Sequence, residues 1–74
     1  MISDATETIG IVVNGEPRSV ARPKNLLTLL LALEIDPEKV AVELNRAIVR
    51  RPDWAATSVT ENAQLEVVQF VGGG

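Results

Sequence analysis

The chemistry open to this chain is concentrated at its end, where the sequence VQFVGGG finishes on three glycines. Glycine has no side chain to pack and loses the most freedom on ordering, so residues 72–74 add nothing to a core. The terminal carboxylate is ionised at neutral pH and is a poor electrophile until another protein activates it. Three extended residues reach about 10 Å and, without Cβ atoms, can thread a narrow channel. We therefore predict that Gly74 carries the reacting carboxylate and that Gly72 and Gly73 thread it into a partner's active site.

Other features of the sequence exclude most catalytic chemistry. The chain has no cysteine and no histidine, which excludes disulfides, thiolate metal sites and the commonest general base. Serine and threonine therefore have no histidine to activate them, and no glycine-rich phosphate loop precedes the terminus. The carboxylates of Glu34, Asp36 and Glu38 surround a turn and are typical of solvated surface. We expect no catalytic residue, no metal site and no bound cofactor.

Composition favours a protein as the partner of this 74-residue chain. Seven basic against ten acidic residues give a net charge of −3, which repels a phosphate backbone, so we expect no nucleic acid partner. A protein with a basic docking surface is a better candidate. No apolar run reaches the ~20 residues of a membrane span, and the first residues are polar and acidic, unlike a signal peptide. We expect a cytoplasmic protein that does not associate with membranes.

The elements that must position the glycines begin with a hairpin. Residues 1–8 show no periodicity, and we expect a flexible extension there, a folded domain over 9–71 and a flexible glycine tail over 72–74. The pair Asn14-Gly15 predicts a two-residue turn that places Val13 opposite Glu16 and Val12 opposite Pro17. Because Pro17 has no N–H to donate outward, we predict that the second strand lies at a sheet edge.

A helix and two short strands follow the hairpin. Asn25 can cap a helix whose buried stripe has the i, i+3, i+4, i+7 spacing, formed by Leu26, Leu29, Leu30 and Leu33. Leu27 and Leu31 fall outside the stripe, and either pack at its flank or contact a partner. Alternating apolar residues at positions 40, 42 and 44 predict a strand, which a turn at Asn45-Arg46 joins to a short returning strand over 47–49. The following connection reads as irregular, with Trp54 closing one end of the core.

The last strand, QLEVVQF, is apolar on both faces. Leu65 and Val67 share one face, whereas Val68 and Phe70 share the other. In a sheet covered by one helix, the second pair either forms an exposed docking patch or Phe70 folds over the sheet end into the core. We expect an α+β domain with a mixed sheet of about five strands, in which this strand pairs centrally with the first.

Two adjacent arginines precede Trp54. Arg50 and Arg51 are either a solvated pair or also help to attract an acidic partner, and we retain both as candidate partner contacts.

The chain resembles the ThiS family, the sulfur carrier proteins of thiamine biosynthesis, in four stretches: VNGEP, NLLTLLLAL, VAVELNRAIVRRPDW and VQFVGGG. The match runs from about Ile9 to Gly74. Its most specific positions are Glu43, Asn45, Ile48, Val49, Arg51 and Trp54. Three features depart from the family pattern: the third glycine at position 72, the sequence ENAQ where a Gly-Asp type turn is usual, and the polar extension over 1–8.

The resemblance implies a ubiquitin-like β-grasp fold and a carrier mechanism. A ThiF-type adenylyltransferase would use ATP to convert the Gly74 carboxylate to an acyl-adenylate. Sulfur from a cysteine desulfurase relay would displace AMP and leave a thiocarboxylate, from which a ThiG-type thiazole synthase would take the sulfur. Two alternatives stay open: the small subunit of molybdopterin synthase, which also ends in two glycines, and a ubiquitin-like interaction module whose tail is inert.

Overall fold

Residues 7–70 are described by the computed structural model, and they form one five-stranded sheet with one α-helix across it. The elements run in the order β1 (Thr8–Val13), β2 (Glu16–Ala21), α1 (Leu26–Ala32), a 3₁₀ helix (Pro37–Lys39), β3 (Val40–Leu44), β4 (Ala47–Val49), a second 3₁₀ helix (Arg51–Ala56) and β5 (Ala63–Gln69). The predicted α+β architecture is confirmed. β1 begins one residue before the boundary drawn from the sequence, and the rest of the expected extension, 1–6, lies outside the described residues.

The strand order across the sheet is β2-β1-β5-β3-β4. β5 pairs parallel with β1 and antiparallel with β3, so the last strand lies in the centre, as predicted. β2 is an edge strand, which also agrees with the prediction from Pro17. Within the described range no helix is long and apolar enough to cross a membrane.

Both hairpins turn through residues with positive φ. Asn14 and Gly15 have φ of 51° and 84°, and the register places Val13 opposite Glu16 as predicted. The β3–β4 turn repeats this geometry with Asn45 at 52° and Arg46 at 73°. Positive φ at both central residues is the type I′ geometry that matches the twist of a hairpin. Arg46 adopts it at a cost, because its Cβ crowds the backbone.

The turn before β5 keeps its shape without glycine. Asn62 adopts a φ of 70°, and asparagine tolerates this region better than most residues do. Its N–H donates to the Gly10 carbonyl at 2.7 Å, and the Glu61 carboxylate accepts from the Gly10 N–H at 3.3 Å. Asn62 of the sequence ENAQ therefore supplies the left-handed residue of this turn.

Helix α1 begins at the predicted cap. The Asn25 side chain accepts from the Thr28 N–H at 2.9 Å, and the Thr28 hydroxyl accepts from the Asn25 N–H at 3.1 Å, which completes a capping box. The helix ends at Ala32, earlier than the apolar stripe suggests. Leu33, expected to be the fourth member of the stripe, is therefore a half-buried C-cap, and Glu34 after it has a φ of 62°.

The core lies between α1 and one face of the sheet. Trp54 is buried, and its indole N–H donates to the Val49 carbonyl at 2.7 Å, so the residue closes the core as predicted. The first part of the connection that carries it, Arg51–Ala56, is a 3₁₀ helix, which the sequence did not indicate because six residues are too few to show a period. Residues 57–62 form no helix or strand, as predicted. The buried residues are Ile9, Ile11, Val13, Leu26, Leu29, Leu30, Val40, Val42, Leu44, Trp54, Val59, Ala63 and Leu65.

We predict that Arg46→Gly raises the free energy of unfolding by about 0.5–1 kcal/mol, because glycine removes the left-handed strain. Part of this gain is offset, because glycine loses more conformational freedom on folding than arginine does. The matched change is Gly15→Ala at the same turn position, which we expect to lower it by about 1 kcal/mol. A Cβ at Gly15 would meet no atom within 4 Å, so that loss comes from the backbone alone. Urea unfolding measures the change in free energy of unfolding for both variants. If both variants were more stable than the unchanged chain, or both less stable, the turn assignment would be contradicted.

Candidate functional site

The candidate site is the end of β5, the strand that leads to the terminal glycines. Phe70 is the last described residue, and its N–H donates to the Lys39 carbonyl at 2.8 Å. The strand is thus hydrogen-bonded to a neighbour through position 70. The predicted reactive residue Gly74 and the threading residues Gly72 and Gly73 lie outside the described residues.

The side chain of Asn14 extends the pairing of β1 with β5. Its Oδ1 accepts from the Val67 N–H at 2.7 Å, and its Nδ2 donates to the Val67 carbonyl at 3.1 Å. The Asn14 N–H donates to the Leu65 carbonyl at 2.8 Å. The chain of β1 turns away at this point, so the amide side chain replaces the backbone groups that a longer strand would offer to Val67.

A second asparagine stabilises the start of β5 from the other side. The Asn45 N–H donates to the Gln64 carbonyl at 2.7 Å, and its Oδ1 accepts from the Gln64 N–H at 3.0 Å. Sequence reasoning identified both asparagines as turn residues and missed these bonds. The sequence shows an asparagine at the first position of each type I′ turn, but it does not show which distant strand the asparagine side chain will bond.

The face of the sheet opposite α1 carries exposed apolar side chains. Val68 and Phe70 are 61% and 58% exposed, and Ile48 is 75% exposed. The register places Ala41 opposite Val68, and Ala41, Ile48 and Phe70 line one groove of about 260 Å³. We call Ala41, Ile48, Val68 and Phe70 the apolar strip. Phe70 is therefore not part of the core, and its role as a partner contact stays a prediction.

The structure separates the other candidate contacts into two groups. Arg50 and Arg51 line the same groove as the apolar strip. Arg51 forms an exposed ion pair with Glu38 at 3.3 Å, an interaction that contributes little to stability. Leu27 and Leu31 lie on α1, which covers the other face of the sheet. Leu27 is half-buried against the core, whereas Leu31 is 54% exposed.

Two members of the strip, Ala41 and Ile48, were not identified from the sequence as candidate contacts, and Ile48 lies on the short strand β4. A strand of three residues shows no usable alternation, so its outward direction follows only from its place opposite Glu43.

The acidic residues around the turn after α1 have structural roles. The Asp36 carboxylate caps the first 3₁₀ helix by accepting from the Glu38 N–H at 2.9 Å, and Glu38 pairs with Arg51. Over residues 7–70, no group of three or more carboxylates is arranged to hold a metal ion.

The model of the ThiS family matches residues 11–74. The crystal structure of a thiamine biosynthesis protein, ThiS, from Geobacter metallireducens superimposes with a TM-score of 0.77 and 38% identity, covering 89% of this chain and 100% of that one. The NMR structure of a thiamine biosynthesis protein from the same organism superimposes with a TM-score of 0.72 and 36% sequence identity. The ubiquitin-like β-grasp fold expected from the resemblance is confirmed by this match.

Relatives in sequence include proteins of two kinds. A thiazole synthase of Magnetococcus marinus is 47% identical over 64 residues, which are 86% of this chain and 20% of the relative. The chain thus spans about a fifth of the length of that protein. A thiazole synthase of Paramagnetospirillum magneticum is 41% identical, and the chain again spans about a fifth of its length. An uncharacterized protein, ycf40, of Pyropia yezoensis is 39% identical over 89% of this chain and 93% of its own length.

We predict that Asn14→Ala lowers the free energy of unfolding by about 1–3 kcal/mol, because the N–H and C=O of Val67 lose their partners. Asn14→Gly is the control that keeps the positive φ and removes only the side-chain bonds. In hydrogen exchange, both variants should lose protection at the Val67 amide and keep it at Gln64, which Asn45 bonds. Unchanged exchange at Val67 would contradict the role of Asn14.

Proposed function

Since the chain belongs to the ThiS family, the small sulfur carriers of thiamine biosynthesis, we propose that its Gly74 carboxylate is the group that carries the sulfur. The carboxylate attacks the α-phosphorus of ATP in a partner adenylyltransferase, pyrophosphate leaves, and an acyl-adenylate forms. The terminal sulfur of a persulfide on a cysteine desulfurase relay then attacks the acyl carbon and displaces AMP, and a thiol cleaves the resulting acyl disulfide to release the relay as a mixed disulfide. The product is a thiocarboxylate at Gly74, and the chain itself supplies no catalytic group.

The observation that carries this proposal is the way β5 is held up to the point where the tail begins. β5 pairs with β1 as far as Leu65, the Asn14 side chain bonds Val67 on that side, and on the β3 side the strand is bonded as far as Phe70, whose N–H donates to the Lys39 carbonyl. Bonds on both sides through Val67, and on the β3 side beyond it, fix the position and direction of the strand's end. A partner that binds the sheet can therefore receive the glycines at a set distance from its own contacts, which is what delivery into a buried active site requires.

Thiazole synthase is the acceptor that the relatives support. In two proteins of that name, a segment similar to this chain occupies about a fifth of the length. A carrier whose sulfur serves one enzyme gains from being joined to it, because linkage raises the effective concentration of the tail at the active site. We propose that this chain delivers its sulfur to a thiazole synthase.

The apolar strip is the surface on which we propose that the adenylyltransferase binds. Scattered apolar residues are common on surfaces, but these four adjoin one another beside the end of β5. Phe70 offers the largest exposed apolar side chain of the strip and lies nearest the tail. Burying such an aromatic centre is the usual source of binding energy in a small interface.

The test of the carrier function is an intact-mass measurement. The full chain is incubated with ATP, the adenylyltransferase and a sulfur source, and we expect a mass gain equal to the exchange of one oxygen for one sulfur. A variant that lacks Gly74 should show no gain. An unchanged mass of the full chain, while the adenylyltransferase modifies another carrier in the same mixture, would refute the proposal.

A second prediction concerns Phe70 and uses Leu65 in the same strand as its matched control. Phe70→Ala should weaken binding to the adenylyltransferase about tenfold or more and lower the melting temperature only slightly, because the ring is mostly exposed. Leu65→Ala should destabilise the fold by about 2–5 kcal/mol, because Leu65 is buried. Calorimetry measures both quantities. A large drop in melting temperature for Phe70→Ala with unchanged binding would show that the ring supports the fold instead.

A further inference from the structure

Two carboxylates lie opposite each other on the face that carries the apolar strip. The register pairs Glu43 of β3 with Glu66 of β5. The bonds from Asn45 N to Gln64 O and from Phe70 N to Lys39 O show that odd-numbered positions of β3 form the hydrogen-bonded pairs. Glu43 and Glu66 are therefore such a pair, with Cα atoms about 5.5 Å apart and both side chains on one face.

This arrangement costs stability in the isolated protein. Like charges directly opposite one another in a sheet repel, and here both side chains are exposed. Among residues 7–70 the ion pairs join Arg22 to Glu7 and Arg51 to Glu38, and neither includes this pair. The negative charge of the pair is thus left without a cation from the described part of the chain.

The neighbours of the pair toward β4 and toward the end of β5 are apolar. Ile48 lies beside Glu43 in the register of β3 with β4, and the next pair on the same face toward the end of β5 is Ala41 with Val68. A surface that covers the apolar strip would take water from the two carboxylates as well. Removing water from two like charges is unfavourable unless the covering surface brings a positive charge to them.

We propose that the surface which binds the apolar strip carries a basic side chain, Arg or Lys, that lies between the carboxylates of Glu43 and Glu66. An arginine can donate to two carboxylates at once, and its charge cancels a repulsion present before binding. The occupant is the adenylyltransferase, so the inference rests on the proposed function and adds the chemistry of the contact.

The acidic pair also gives the strip a direction. Glu66, Glu43 and Ile48 lie in one row across β5, β3 and β4, and Val68 with Ala41 lies in the next row on the same face, nearer the tail. An apolar strip alone permits a partner to bind in more than one orientation, whereas a negative charge beside one part of it favours one. The favoured orientation directs the end of β5 into the same place each time.

The experiment measures binding of the full chain to the purified adenylyltransferase at about 0.15 M and about 0.01 M ionic strength. The test variant is Glu43→Gln/Glu66→Gln. The matched control is Glu16→Gln/Glu34→Gln, which changes the net charge equally on exposed residues away from the open face. We expect the test variant to bind about tenfold more weakly at low salt and to lose most of the salt dependence, and the control to behave like the unchanged chain.

A melting curve accompanies each variant. Removing the repulsion should leave the test variant melting at or above the temperature of the unchanged chain, so weaker binding would not come from unfolding. If the test variant and the control bind with equal affinity and equal salt dependence, the inference is overturned. It is also overturned if the unchanged chain does not bind the adenylyltransferase at either salt concentration.

The intact-mass measurement separates this inference from the proposed function. A full chain that gains sulfur while both variants bind alike keeps the carrier function and refutes the role of the acidic pair. A chain that gains no sulfur, yet shows binding that depends on Glu43 and Glu66, refutes the carrier function and supports the contact.

Discussion

The pairing of β5 on both edges is the constraint on which the rest of this structure depends. A strand in the middle of a sheet has its backbone groups bonded on two sides, and β5 keeps such bonds on both sides as far as Val67 and on the β3 side as far as Phe70. β1 is too short to reach Val67, and the Asn14 amide supplies the missing donor and acceptor. The carrier mechanism that we propose uses this rigidity, because a partner bound to the sheet meets the end of β5 at a fixed place.

The size of the domain explains why its open face can serve as a binding surface. A chain of 74 residues buries a smaller share of its surface than a larger protein does, and one helix covers only one face of the sheet. The core is complete on that side, with Trp54 closing one end. On the other side no helix of the described residues covers the sheet, and Val68 remains exposed. The surface that we propose as a contact thus arises from the same shortage of covering elements that limits stability.

Charged and apolar side chains on that face contribute differently to the contact that we propose. In the contact that we propose, burial of the apolar strip supplies the strength, whereas the paired glutamates supply the orientation. Placing Glu43 opposite Glu66 costs little free energy in water, where exposed charges are well screened. The pair becomes favourable when a partner places a basic side chain between the two carboxylates. We therefore expect the face to bind apolar surfaces that carry a basic side chain in preference to those that do not.

The sequence by itself determined the features that depend on near neighbours in the chain. The Asn14-Gly15 turn set the register of the first hairpin, Pro17 set the edge position of β2, Asn25 set the start of α1, and the apolar alternation set the buried faces. Each of these depends on backbone preferences or on spacing within a few residues. The resemblance to the ThiS family added the β-grasp fold and the carrier function, which no local pattern contains.

Only the tertiary structure decided which distant residues meet. The bond from Val67 to Asn14 joins positions 53 apart, and the one from Gln64 to Asn45 joins positions 19 apart. The juxtaposition of Glu43 with Glu66 and the outward direction of Ile48 likewise follow from how β3 aligns with its neighbours. A shift of that alignment by one residue would reverse the faces and separate these pairs. The alignment is fixed by the packing of the whole core, and for that reason it could not be read from any single segment.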